Sequence, residues 1–471
     1  MLTIGLALVS VLLALIVIAV IWRRNPFHAA ISFLLLATVD VFFPAVYWTL
    51  FGQVNNPDWL PFLSQNEVLA GLVFYSAFLF VFIAFLLATD GARAPRVGGA
   101  VLSAGVRVRL EQVIWILLTL TLAKMAWEMA RYGGLEAWLW SKVVFGTVLD
   151  AEGATLPEGG VFAVLPAREL FQAVVGLAFF CRNQLPRRRL FAVYFPLIAA
   201  GLAAATFLRG ALLGYAVTMI FAEAMRRKAE GPASAGNDQR ATGRHNAAAA
   251  GVLAVVLSMY VYGALRDSVR GLASGGEDAT VEFALPTFLT AGHGLLGVSH
   301  IVAEYGHSVG WLWGKTYIDS LLLPVPRSIY PSKPEWYGID DITRSMGWPE
   351  STQSAVTMPG EAFASFGLAG LLVAVPLGIG FGWLQRLVRS NPIRYLLVGP
   401  TVFFQIATVA NWMSFTGIMN AAPTLALLLA LAAYIEKGRA RYRAGGSDRP
   451  APGGVEGQRV GIAGTARSIP R

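Results

Sequence analysis

Cysteine is almost missing: Cys181 is the one thiol in 471 residues, which excludes a disulfide framework, a CxxC redox pair and a thiolate zinc site. It closes an apolar run beside Arg182, and its default reading is an inert buried thiol. Charge is scarce as well. Only 14% of the residues are charged, against about a quarter in a soluble domain, so the chain does not read as a soluble globular protein. Histidine occurs five times, and His293, His300 and His307 recur every seven residues, which places them on one helix face. Of these, only His300 has a carboxylate (Glu304) at metal-ligand spacing, so no metal or other cofactor is expected. No Walker loop, HExxH, GxSxG or GxGxxG pattern occurs, which leaves nucleotide hydrolysis and serine or metallo-hydrolysis without support.

What the chain has is apolar length. Hydrophobic residues make up 56% of it and the mean hydropathy is +0.58. Runs long enough to cross a bilayer lie near 3–22, 29–51, 67–89, 110–130, 163–181, 190–207, 210–225, 247–265, 361–385, 395–413 and 416–435. These runs predict an all-α polytopic integral membrane protein of about eleven transmembrane helices. The first run is read as a helix rather than a signal peptide, because Arg23 and Arg24 follow it and no small-residue cleavage pattern is present. Residues 190–225 are too long for one span, and Arg209-Gly210 at their centre suits a tight turn between two short helices.

The net charge of +9 would suggest nucleic acid in a soluble chain. Here it reports topology. Arg23-Arg24, Arg93 to Arg109, Arg187 to Arg189, Arg226 to Lys228, Arg386 to Arg394 and the tail from Lys437 fall in alternate loops. By the positive-inside rule those loops are cytoplasmic, which puts the N-terminus in the periplasm and the C-terminus in the cytoplasm of a bacterial inner membrane. Eight helices within 1–265 then precede one large periplasmic loop, 266–360. Three more helices occupy 361–435, and 436–471 read as a disordered basic cytoplasmic tail. There is no internal repeat and no pair of broken helices of the kind found in inverted-repeat transporters.

The informative stretch is 311–372, which is too polar to span and carries four prolines between 324 and 334. Trp311, Trp313, Tyr317, Tyr330, Trp336, Tyr337 and Trp348 recur in it. Aromatic faces among cations and carboxylates suit sugar rings, and they equally suit an ordered lid at a membrane interface. Arg327 and Lys333, in PRSIYPSKP, are placed either to hold a diphosphate or to remain solvated loop charges. Arg344 follows Asp340 and Asp341 and reads first as a local ion pair.

Glu361, in MPGEAFASFGLAG, falls in the first turn of the ninth span. An acid there is favoured by the helix dipole, and it is also placed to act as a general base at a membrane–water cleft. Gly367 and Gly370 beyond it would let another helix pack closely. Arg209 is costly between two apolar runs unless it meets an anion such as a diphosphate or an interhelical acid. Arg168 has the same options, with Glu169 beside it. Asp40, in the middle of the second span, reads as a structural partner of Lys124 or as a proton-relay group.

The pattern G-K-T-Y…P-R…P-x-K-P from Gly314 to Pro334, followed by P-G-E-A-F-x-x-F-G-x-x-G from Pro359 to Gly370, resembles the oligosaccharide repeat-unit polymerases. These are the Wzy-type O-antigen and exopolysaccharide polymerases. L-R-G at 208–210 resembles their S-R-G element, with Leu208 in place of the small hydroxyl residue. The resemblance implies a GT-C-like, metal-independent membrane glycosyltransferase. Such an enzyme transfers a growing glycan from its polyprenyl diphosphate onto the next lipid-linked repeat at the periplasmic leaflet. It implies that Arg209, Arg327 and Lys333 neutralise the leaving diphosphate. Glu361 stands where related O-antigen ligases carry an acceptor-activating histidine. A flippase and a chain-length regulator are the partners that the resemblance implies, with lipid-linked oligosaccharides as substrates and no nucleic acid. The alternatives are a ligase that moves finished glycan to another acceptor and a non-enzymatic flippase or transporter.

Overall fold

The computed structural model describes residues 2–25, 28–51, 63–90, 104–131, 133–135, 138, 167–181, 194, 198, 218–220, 222–223, 293–322, 325, 329–330, 339–347, 356–400 and 407–446. In chain order its helices are α1 (Leu2–Arg24), α2 (Ala29–Ala37), α3 (Phe43–Phe51), α4 (Gln65–Asp90), α5 (Ala104–Arg131) and α6 (Ala167–Cys181). After these come α7 (His293–Glu304), α8 (Lys315–Leu322), α9 (Ile339–Ser345), α10 (Met358–Phe366), α11 (Ala374–Arg389), α12 (Pro392–Pro400) and α13 (Ala407–Gly446). A π-helical segment, Thr38–Phe42, joins α2 to α3, and a 3-10 segment, Gly367–Val373, joins α10 to α11. Six helical stretches among the described residues are long and apolar enough to cross a membrane: Leu2–Arg24, Ala29–Phe51, Gln65–Asp90, Val106–Ala130, Met358–Arg389 and Gly417–Lys437. The chain is a helical, multi-pass membrane protein. In hydrocarbon only intrachain bonding satisfies the backbone, so unbroken apolar runs fold as helices.

Burial follows from side-chain size. α1 exposes Leu8, Val9, Leu12, Leu15, Ile16 and Val20 and buries a thin stripe of Thr3, Ala7, Ser10, Ala14 and Ile21. A helix that hides its small residues and shows its large apolar ones faces lipid. α4 is the central helix. Phe33 of α2, Phe82 of α4 and Phe381 of α11 meet edge to face, with ring centroids 4.8 to 5.5 Å apart. Gly378 and Gly382 of α11 lie against the α4 backbone, where a Cβ on Gly378 would sit 2.5 Å from the Phe82 carbonyl oxygen and one on Gly382 2.7 Å from that of Leu86. This glycine pair, four residues apart, sets the approach of the two helices. Gly378→Ala is expected to lower the melting temperature in detergent, by overpacking of about 1–3 kcal/mol. Gly380→Ala, where nothing lies within 4 Å of the added methyl, is expected to leave it unchanged.

Both joints have local causes. Pro44 has no N–H for the Asp40 carbonyl four residues back, and its ring crowds that carbonyl. The turn widens, and the Phe43 N–H reaches the Thr38 carbonyl instead. At the second joint Gly367 ends α10 with φ 58°, a backbone that a side chain would strain.

The structure changes several expectations. The second and ninth runs each carry a joint, Thr38–Phe42 and Gly367–Val373, within a continuous helical stretch. The expected break between 413 and 416 is helix, because α13 runs from Ala407 through to Gly446, ten residues past 436 where the tail was to begin. Of the fifth run, 163–181, the structure describes the helix Ala167–Cys181, and 163–166 lie outside the described residues. The loop 266–360 contains α7, whose Leu295, Leu296, Val298 and Ile301 are buried and which packs on α4 with Ser299 against Gly71. His307 lies in a turn after α7, so the three histidines do not share a helix face. Asp40 and Lys124 take separate partners. Asp40 accepts a hydrogen bond from the Gly294 N–H at 3.1 Å, while Lys124 pairs with Glu128 at 3.4 Å and lies over the Trp127 ring. The runs 190–207, 210–225 and 247–265 lie outside the described residues, apart from 194, 198, 218–220 and 222–223.

Candidate functional site

The described charges sort to the two ends of the bundle. Arg23 and Arg24 end α1, Arg386 and Arg389 end α11, and Arg394 of α12 pairs with Glu436 of α13 at 2.9 Å. The opposite end is built by α7, α8, α9 and the start of α10, and it holds Glu361.

Thr357 caps α10, its hydroxyl accepting from the Gly360 N–H at 3.2 Å, and Pro359 presets the first turn. That cap directs Glu361 inward, where it is fully buried. Its Oε2 accepts from the Phe415 N–H of α13 at 2.7 Å, which ties the two helices together. The chain before α8 then docks across α10: the Leu312 N–H donates to the Ala364 carbonyl at 3.0 Å and the Trp313 N–H to that of Ser365 at 3.1 Å. Trp311 packs on Phe363 and Tyr305, with centroids 5.6 and 6.4 Å away. The G-K-T-Y segment thereby becomes a fixed roof over the Glu361 turn.

Tyr317 completes this arrangement. Its ring stacks on Phe366 with centroids 6.3 Å apart and meets Phe415 at 5.2 Å, so both neighbours of the Glu361 turn hold it. Its hydroxyl is buried and has no hydrogen-bond partner among the described residues. Burial, with the Glu361 charge adding to it, pushes the hydroxyl's pKa well above the ordinary tyrosine value, so it stays protonated and able to donate.

No protein-family model, no curated protein and no solved structure matches the chain.

Of the sequence candidates, the structure brings Glu361 and Tyr317 together. Arg344 is exposed on the last turn of α9. Asp341, one of the two carboxylates the sequence offered to Arg344, binds Lys315 at 2.5 Å. Arg168 lies in the first turn of α6, and Tyr330 is half-buried in the segment after α8. Arg209, Arg327 and Lys333 lie outside the described residues. Gly367 and Gly370 do not receive another helix. Gly367 sits under the Trp311 ring, and a Cβ on Gly370 would strike the Ala362 carbonyl eight residues back in α10.

Three residues at this end were not singled out from the sequence. Lys315 bonds Asp319 at 2.8 Å as well as Asp341, joining α8 to α9. Partial burial works against its charge, but the two carboxylates outweigh it and hold the ammonium's pKa above the usual lysine value. The i,i+4 spacing of Lys315 and Asp319 was a readable signal. Phe415 contributes a backbone N–H, which no residue pattern announces. Among the described residues no group of three His, Cys, Asp or Glu side chains could hold a metal ion.

Proposed function

We propose that this chain is a membrane glycosyltransferase that polymerises polyprenyl-diphosphate-linked oligosaccharide repeat units into O-antigen or exopolysaccharide. The reading places eleven GT-C-like spans in a bacterial inner membrane and the Glu361 end at the periplasmic face. The gathering of Arg23, Arg24, Arg386, Arg389 and Arg394 at the opposite end supports that orientation.

One observation carries the chemistry: a buried carboxylate and a buried tyrosine hydroxyl, which has no hydrogen-bond partner among the described residues, both meet Phe415 at the outermost turn of a span. An acceptor sugar hydroxyl entering between them would donate to Glu361 and accept from Tyr317. As its oxygen bonds to the anomeric carbon, its proton passes to Glu361 and the bond from that carbon to the diphosphate oxygen breaks. The diphosphate leaves with the electron pair, and Arg209, Arg327 and Lys333 are the cations assigned to receive it. The Trp311 roof excludes water, which would otherwise compete as acceptor.

Purified full-length protein in detergent, supplied with lipid-linked repeat units alone, is expected to produce a ladder of longer lipid-linked glycans on a gel. Substrate that stays at one repeat would overturn the reading. Transfer of finished glycan only when another acceptor is added would assign the ligase chemistry instead.

A further inference from the structure

Helix α8 has its polarity turned inside out. Its inward side carries Thr316, Asp319 and Ser320, all buried, with Thr316 Oγ1 lying 3.3 Å from Ser365 Oγ of α10. Its outward side carries Ile318 and Leu321, 61% and 58% exposed, with Trp313 just before the helix 74% exposed. A short helix lying against water would show the opposite pattern. The exposed apolar side also does not stand alone. Through the Leu312 and Trp313 bonds it is fastened to residues 364 and 365, directly before Leu368 and Leu372, which are 74% and 72% exposed on the candidate span Met358–Arg389. The apolar surface of the span therefore runs on into α8. Lys315 lies at the edge of that side, and its ammonium is neutralised by Asp319 and Asp341.

We propose that α8 is an interfacial helix whose outward face, Trp313, Ile318 and Leu321, is covered by the acyl chains of the bilayer leaflet. The segment 311–322 is then not a loop standing in water. It lies in the plane of the membrane, with apolar residues in the lipid and a polar side turned to the Tyr317 and Glu361 turn. This inference rests on the membrane-spanning helices and not on the glycosyltransferase reading, so either can fail alone.

Spin labels test it in the full chain. In a Cys181→Ala background, single cysteines at Ile318, Leu321, Leu368 and His307 would be labelled and the protein placed in nanodiscs of phosphatidylcholine and phosphatidylglycerol. At Ile318 and Leu321, collisions with oxygen are expected to exceed those with a water-soluble nickel chelate severalfold, as at Leu368. At His307, exposed in the turn after α7, the nickel chelate should dominate. Nickel-dominated collisions at Ile318 and Leu321 would overturn the proposal. So would low access to both reagents, which would mean that protein, such as a second copy of the chain, covers the face. The four labelled positions are exposed, so the labels are expected to leave the fold intact, and a circular dichroism spectrum of each variant and of the Cys181→Ala parent checks it.

Discussion

Glu361→Gln is expected to abolish chain elongation while the protein folds and inserts as before. Glutamine has the same shape, and its amide oxygen can still accept from the Phe415 N–H, so the tie between α10 and α13 survives. What disappears is the base. Loss of a positioned general base costs about 10²–10⁴-fold in rate, enough to remove long glycans from a gel. Glu361→Ala also takes the acceptor from Phe415, so it is expected to lower the melting temperature as well as the rate. The pair separates chemistry from architecture: a Gln variant as stable as the parent and inactive assigns the carboxylate its catalytic role. Tyr317→Phe should give a smaller loss, about tenfold in kcat/KM for a single hydrogen bond of roughly 1–1.5 kcal/mol. Its stability should not fall, because the hydroxyl it removes has no partner among the described residues. Wild-type elongation by the Gln variant would end the assignment.

The parts of this molecule that could be read from the sequence are those set by neighbours in the chain. The spans at Leu2–Arg24, Ala29–Phe51 and Gln65–Asp90 are long apolar runs, and such runs have one fold in a bilayer. Glu361 was legible because Pro359-Gly360-Glu361 is a helix start, and the inward turn follows from the Thr357 cap. Where the reading failed, the deciding partner was remote. α7 carries Ser299 and His300 amid its apolar residues and has 12 residues, too few for a span, so nothing local marks it as a buried helix. It is buried because Gly71 of α4 leaves room for it. The Asp341 carboxylate binds Lys315, 26 residues back, because α8 and α9 meet in space. The Phe415 N–H reaches Glu361 across 54 residues. The joint at Thr38–Phe42 has a local cause in Pro44, which is legible in the sequence.

The largest effect on stability is expected at the other end of the bundle, from Arg389→Leu. Asp90 is the last residue of α4, where the carbonyl ends of the helix repel a carboxylate, and its side chain is fully buried. Arg389 answers both problems. It donates to Asp90 Oδ2 at 2.9 Å and to the Asp90 carbonyl at 2.8 Å, and it lies 2.8 Å from Oδ1. His28 Nε2 is 3.0 Å away on the other side, while its Nδ1 accepts from the Ala30 N–H and caps α2. Gln385 takes the next N–H, that of Ala29, and Tyr395 donates to Asn25, so α2, α4, α11 and α12 converge here. Removing Arg389 leaves a buried carboxylate with His28 alone, at a cost of about 3–5 kcal/mol. Asp90→Leu strands the arginine in the same way. The double variant, with both charges gone, should recover part of the loss, and a double-mutant cycle followed by denaturation in bicelles would measure the coupling. Two single losses that simply add would mean that the pair contributes nothing jointly. The cluster lies at the far end of α4 and α11 from Glu361. The fraction of Arg389→Leu that remains folded should therefore elongate at the normal rate per molecule, whereas Glu361→Gln keeps its fold and loses that rate. The two variants fail in opposite ways because one buried acid holds the helices together and the other is held in place by them.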